Sequence, residues 1–227
     1  MYLPKNDATK FVLTPAGTHL AVCYRVIDLG TQQKTYPGKP PKYERTVLIN
    51  WELPQELMED KRPFSVGQKY NFSMNEKANL RKHLEAWRGV PFKDTDFGPG
   101  GFQLEKILGK GCLLTIVHAV KGDNTYANIA SVSGLPKGMV APAPVNPLLS
   151  LDLGPEGDAT FAAVFAQLSQ KLQEQIMASP EYMEGQKRRG GGGSHADGAA
   201  ENPADGMSDD IPFVSPFDLS TGPVFGR

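Results

Sequence analysis

The chain is poor in the groups that catalysis and metal binding draw on: it has two cysteines and four histidines among 227 residues. Cys23 and Cys112 stand apart, each inside an apolar stretch, which fits two small buried hydrophobes and not a redox or zinc pair. His19, His83, His118 and His195 fall on separate expected elements, without a second ligand at metal spacing and without an H-E-x-x-H pattern. Neither glycine-rich stretch, Gly98–Gly101 or Arg189–Ser194, ends in the Gly-Lys-Ser/Thr of a phosphate loop. Glu52, Glu56, Glu59 and Asp60 crowd together after an expected strand and read as a solvated acidic loop rather than a Mg2+ site. No catalytic constellation, cofactor or metal is therefore expected, and the chain is read as a non-enzyme. It also lacks an apolar run long enough to span a membrane, and Met1–Asp7 lacks the basic-then-apolar layout of a secretory signal. A soluble, cytoplasmic protein is expected.

Charge is present but unevenly placed. Residues 1–140 hold 19 Lys and Arg against 13 Asp and Glu, a balance of +6, whereas residues 141–227 hold 5 against 12, a balance of −7. A cationic body favours phosphate contacts through counterion release, and an anionic tail can compete for that surface or offer itself to basic partners.

Period-2 alternation predicts a strand over Thr18–Leu29, with Leu20, Val22, Tyr24 and Val26 on one face and His19, Cys23 and Arg25 on the other. A second strand is predicted over Tyr43–Leu53, with Tyr43, Val47, Ile49, Trp51 and Leu53 on one face. Between them, Gly30–Lys42 is rich in Gly, Pro and Lys and reads as a flexible basic loop. Gly67 opens a third strand, Gln68–Met74. A helix follows, announced by Ser73-Met74-Asn75-Glu76 in the form of a capping box and carried by Leu80, Leu84 and Trp87. Its other face bears Lys77, Arg81, Lys82 and Arg88. Gly111–Val120 and Thr125–Val132 make a fourth and a fifth strand joined by the hairpin loop Lys121–Asn124. Three strands, a helix and two strands is the order of an OB-fold, a five-stranded Greek-key barrel with a helix between strands 3 and 4, so the fold class expected is mainly β and OB-like.

Four regions result: an OB-like nucleic-acid-binding domain over 1–138, a Pro-rich linker or strap over 139–157, an amphipathic helix over 158–186, and an acidic tail over 187–227. Within the helix, Phe161, Val164, Phe165, Leu168, Leu172 and Ile176 form one apolar stripe. The stripe either packs on the chain's own barrel or pairs with a second copy through Ala159–Met177. The tail, from Arg189 through Gly190–Gly193 onward, is too low in complexity to bury a core and is expected to be disordered.

Binding of unpaired nucleic acid asks for a positive groove and aromatic faces on which bases stack. Tyr24 and Arg25 on the first strand, Lys34, Tyr36, Lys39 and Lys42 in the loop, and Tyr43, Arg45 and Trp51 on the second strand interleave the two kinds of residue. Lys69 and Tyr70 on the third strand and Lys121 and Tyr126 at the last hairpin extend the set. Phe72 and Trp87 are assigned to the core.

Near the far end of the sequence stands Ser208-Asp209-Asp210-Ile211-Pro212-Phe213. Asp209-Asp210-Ile211-Pro212-Phe213 resembles the acidic tail peptide of bacterial and bacteriophage single-stranded DNA-binding proteins. With an OB-like body, the whole chain resembles that family, and the layout of residues 18–135 is similar to phage replication-associated proteins. The resemblance implies coating of single-stranded DNA during replication, recombination or repair, and recruitment of replication and recombination proteins by Asp209, Asp210, Ile211, Pro212 and Phe213. One departure stands out: the family peptide usually ends at its phenylalanine, whereas Val214–Arg227 follow Phe213 here, so Phe213 cannot offer a terminal carboxylate. Two other readings stay open, an adaptor whose barrel binds protein rather than DNA, and an accessory nuclease or primase subunit.

Overall fold

The computed structural model describes residues 12–35, 38–122 and 124–189. Strands β1 (Gly17–Lys34), β2 (Lys42–Leu57), β3 (Pro63–Asn71), β4 (Gly111–Lys121) and β5 (Asn124–Ser133) form one antiparallel path in the order β3-β2-β1-β4-β5. A short β6 (Leu149–Leu151) adds to β1 in parallel, opposite Arg25–Ile27. The path is open, with β3 and β5 as its edges. The protein is thus mainly β, with a few helices.

The pleat of β2 is uninterrupted from Val47 to Leu53, so its alternation survives folding: Val47, Ile49, Trp51 and Leu53 all enter the main core with Val66, Tyr70, Cys112, Leu114 and Ile116. Strand β1 behaves otherwise. Its pairing with β2 slips between Cys23 and Arg25 and again between Asp28 and Gly30. A bulge exchanges the faces of a strand. Ala21 and Cys23 point to the main core before the first slip and Val26 after it, while Ile27 and Leu29 face a second core on the other side of the sheet. The expected face of Leu20, Val22, Tyr24 and Val26 is corrected accordingly.

Helix α1 (Asn79–Arg88) lies between β3 and β4, as expected, and buries Leu80 and Leu84. It starts later than the sequence suggested: its N-cap is Ala78, without a side-chain cap, and Ser73 instead accepts from the Asn75 amide at 3.3 Å in the preceding turn. Gly89, at φ +72°, closes the other end by donating its amide to the Glu85 carbonyl.

The second core is built by the C-terminal part of the chain. Instead of one helix over 158–186 there are three: α2 (Phe161–Phe165), α3 (Gln170–Met177) and α4 (Pro180–Arg188). Ser169 adopts an extended conformation between the first two, and the Gln173 side chain donates through Nε2 to the Phe165 and Leu168 carbonyls that the break leaves open. Pro180 imposes the second break, because it has no amide hydrogen to continue the ladder. Ser179 caps α4, its Oγ accepting from the Tyr182 amide at 3.2 Å. The apolar stripe is nevertheless real. Phe161, Val164, Leu168, Leu172 and Ile176 pack on Ile27, Leu29 and Leu48 of this chain's own sheet. Of the two alternatives for Ala159–Met177, the structure shows packing on the chain's own sheet.

Among the described residues no helix is long and apolar enough to cross a membrane.

Candidate nucleic-acid interface

Beyond the body of the sheet, β1 and β2 run on as a paired arm, with Thr31 opposite Arg45, Gln32 opposite Glu44, Gln33 opposite Tyr43 and Lys34 opposite Lys42. Tyr43 is 68% exposed there. Lys34 pairs with Glu44 at 3.3 Å and donates to the Asn71 side-chain oxygen, and Lys42 reaches Glu44 at 3.8 Å. Lys39 is exposed in the connection, and Tyr36 lies outside the described residues. Among the described residues the arm therefore carries the open Tyr43 ring on one face of its pleat and Lys34 and Lys42, their charge partly neutralised by Glu44, on the other.

At the root of the arm Arg45 donates to the Asp28 carboxylate through Nε at 3.2 and 3.3 Å and through Nη2. The hydrogen bond to Asp28 pushes the already high Arg45 pKa up further, so the guanidinium is a permanent cation. Its carbon lies 5.3 Å from the centroid of Phe72, which is 44% exposed. Phe72 is the aromatic that alternation misassigned to the core. Strand β3 stops at Asn71, so the inward-pointing series that includes Tyr70 ends one residue before Phe72. The polar run Ser73-Met74-Asn75-Glu76 that follows was the available signal.

Several other expected contacts are corrected by burial. Tyr24, Trp51 and Tyr70 are at most 3% exposed and have no ring face to offer a base. Trp51 packs against Trp87 with ring centroids 6.0 Å apart, and Trp87 donates through Nε1 to the Gly111 carbonyl at 2.9 Å. The Tyr70 hydroxyl meets His83 Nδ1 at 2.8 Å, and burial raises the Tyr70 pKa. Arg25 is buried beside Tyr24, and Lys69 donates to the Gln175 side chain of α3 at 2.9 Å. Lys121 remains exposed and Tyr126 half-buried on the β4–β5 hairpin, where Tyr126 pairs with Ala119. Two valines of that hairpin, Val117 and Val120, are also exposed.

The acidic cluster does not converge. Glu52 is fully buried and accepts from the Val145 amide at 2.5 Å, the Asn146 amide at 2.9 Å and the Asn146 side chain. It thereby pins the Pro-rich strap to β2. Glu56 faces His19 at 3.2 Å, and Asp60 pairs with Arg62 at 2.6 Å. Among the described residues no three His, Cys, Asp or Glu side chains are placed to hold a metal ion. Cys23 and Cys112 are buried, and desolvation pushes the Cys112 thiol up to about 12 and raises that of Cys23 as well, so neither is a ready nucleophile.

The strap, β6 and the three C-terminal helices together cover the face of β1 and β2 opposite the main core. Of the candidate binding residues, those on the arm and on the β4–β5 hairpin stay exposed or half-buried, as does the Phe72 ring at the root of the arm. The tail residues Asp209–Phe213 lie outside the described residues. No model of a known protein family matches the sequence, and no curated protein matches it.

Proposed function

We propose that the protein is a non-catalytic, phage-type single-stranded DNA-binding protein that coats unpaired strands during replication or recombination. The observation that carries this reading is Tyr43, held open on a paired arm that also bears Lys34, Lys39 and Lys42. A base stacked on such a ring contributes about 1–3 kcal/mol and needs no particular sequence, while the lysines follow the phosphates. The strand order, with α1 between β3 and β4, supports an OB-fold, whose nucleic-acid contacts include the β1–β2 and β4–β5 loops. Here those are the arm and the hairpin that stay uncovered. Asp209, Asp210, Ile211, Pro212 and Phe213 recruit replication or recombination proteins in this reading, in the cytoplasm of a host cell. The test is a fluorescence-anisotropy titration of labelled oligo-dT and of matched duplex across a salt series. Salt-sensitive binding to the single strand, with little to the duplex, is expected. Absence of binding at low salt would overturn the reading.

A second reading, a protein-protein adaptor of a replication or recombination complex, is favoured by a different observation. The outer sheet face is occupied by the chain's own helices, and Met139, Val140, Val145 and Leu148 are exposed along the strap. It predicts association with a recombination protein that persists after nuclease treatment and is lost when those four residues are changed to serine.

A further inference from the structure

The arm is a two-stranded ribbon, and a ribbon of that kind is marginal in water unless something packs against it. The C-terminal helices supply that support. Gly30, Thr31 and Gln32, three consecutive residues of β1 at the base of the arm, all meet the junction of α3 and α4. Gly30 lies so close to this junction that a Cβ there would fall 2.4 Å from the Ser179 side chain and 2.9 Å from Glu181 Oε2. Thr31 donates its amide at 2.8 Å and its hydroxyl at 2.6 Å to the Glu181 carboxylate. Gln32 donates through Nε2 to the Gln175 carbonyl at 3.0 Å and to the Leu29 carbonyl at 2.7 Å. On the other strand of the ribbon, the Asn71 side chain donates to Glu44 at 2.6 Å.

Glu181 is the fixed point of this seat. It stands in the first turn of α4, behind the Ser179 cap and Pro180, where the helix N-terminus favours a carboxylate. Both of its oxygens go to Thr31, so it holds the backbone of β1 as well as a side chain. Thr31 is opposite Arg45, and Gln33 is opposite Tyr43, two residues or about 7 Å further along the ribbon. Glu181 therefore acts on the Tyr43 ring through the ribbon and not by contact. Two physical effects give opposite signs for its removal. On charge alone, loss of a carboxylate near a strand of phosphates strengthens binding. If the arm must be held in one direction for its ring and lysines to meet a strand together, loss of Glu181 weakens binding, because only the fraction of arms so directed is competent. We propose that Glu181 is a positioning residue for single-stranded DNA, and that with Gln175 it makes the α3–α4 junction the seat that directs the arm. The proposal rests on the single-stranded DNA reading above and gives the C-terminal helices a part in binding that packing on the sheet would not require.

The experiment titrates labelled oligo-dT with full-chain variants across a salt series, each checked for folding by its melting transition. Glu181→Ala should bind about fivefold or more weakly than the parent, the lower end of what coupling between two sites contributes. The slope of log affinity against log salt should stay at the parent's value, since no phosphate contact is lost. Amide hydrogen exchange at residues 31–34 and 42–45 should be faster in the variant. Thr31→Ser keeps both donors to Glu181 and should bind as the parent does. Thr31→Val keeps only the amide, should fall between, and replaces Glu181→Ala in every comparison if that variant does not fold. The deciding measurement is the double variant Tyr43→Ala/Glu181→Ala. Its loss should be smaller than the product of the two single losses, because a misdirected ring has little left to lose, whereas independent sites multiply. Equal or tighter binding by a folded Glu181→Ala would overturn the positioning role and leave single-stranded DNA binding standing, and so would losses that multiply. No binding by the parent at low salt would overturn both.

Discussion

The carboxylate of Glu181 accepts two hydrogen bonds from Thr31, one from its amide at 2.8 Å and one from its hydroxyl at 2.6 Å. This contact joins the first turn of α4 to the point where β1 leaves the body of the sheet for the arm. Burial alone would raise the Glu181 pKa, but the two Thr31 bonds overcome it and the net shift is downward from 4.5. A carboxylate with a lowered folded-state value stabilises the protein above its ordinary range and loses that contribution as pH falls through the lowered value. Glu181→Ala is expected to cost about 1–3 kcal/mol in urea unfolding at neutral pH, and the difference from the parent should shrink on acidification below 4.5. A constant difference down to the acid limit would show that the charge of Glu181 plays no part.

How far the sequence foretold this arrangement depends on the continuity of each element. In β2 the pleat is unbroken, and Val47, Ile49, Trp51 and Leu53 were assigned to one face correctly. In β1 two slips in pairing moved residues between faces, which no local pattern signals. The stripe Phe161–Ile176 reported which residues are buried, but periodicity does not say whether a helix is continuous, and breaks at Ser169 and Pro180 went unread. The exposure of Lys39 and Lys42 was legible because they stand beside Gly and Pro, whereas Tyr43 shares the alternating face of Val47 and Trp51 and clears the core only because the strands run on as an arm. Phe72 was not, because where β3 stops is decided by its pairing with β2. The role of Glu52 was hidden for a similar reason: its donors, Val145 and Asn146, are about ninety residues away in sequence.

Gly30 is required where it stands. Its φ is +69°, and a Cβ there would come within 2.4 Å of the Ser179 side chain that caps α4. Gly30→Ala should therefore combine the backbone strain of a left-handed residue, about 1–2 kcal/mol, with displacement of the α4 cap. The expected total is about 2–4 kcal/mol in chemical unfolding. A loss under 1 kcal/mol, about the cap alone, would mean that α4 is only loosely seated on β1.

His83 provides the acid response at higher pH. Burial lowers its pKa from 6.5 by disfavouring the charged ring, whose Nδ1 lies 2.8 Å from the Tyr70 hydroxyl oxygen. The unfolded chain then binds a proton that the folded one resists, so stability is full above 6.5 and declines as pH falls from there toward the lowered value. Unfolding followed across this window should show that decline, and His83→Gln should flatten it. A parent protein whose stability is unchanged as pH falls through the window would contradict the burial of a neutral ring.

Tyr43 and Trp51 separate the proposed binding surface from the core, since both were candidates for base stacking and only Tyr43 has a free face. Tyr43→Ala removes an exposed ring and should leave the melting transition within about 0.5 kcal/mol of the parent. Its affinity for oligo-dT should fall by about fivefold to a hundredfold, the range that corresponds to one lost stacking contact. Trp51→Ala empties a site at the centre of the main core, next to Trp87, and should cost about 3–5 kcal/mol of stability. If a folded Trp51 variant with a conservative ring, Trp51→Phe, bound oligo-dT as tightly as the parent while Tyr43→Ala did not, the arm would be the stacking element. The reverse result would require the sheet to open for DNA, because in the folded state the Trp51 ring is enclosed on the inner side of β2.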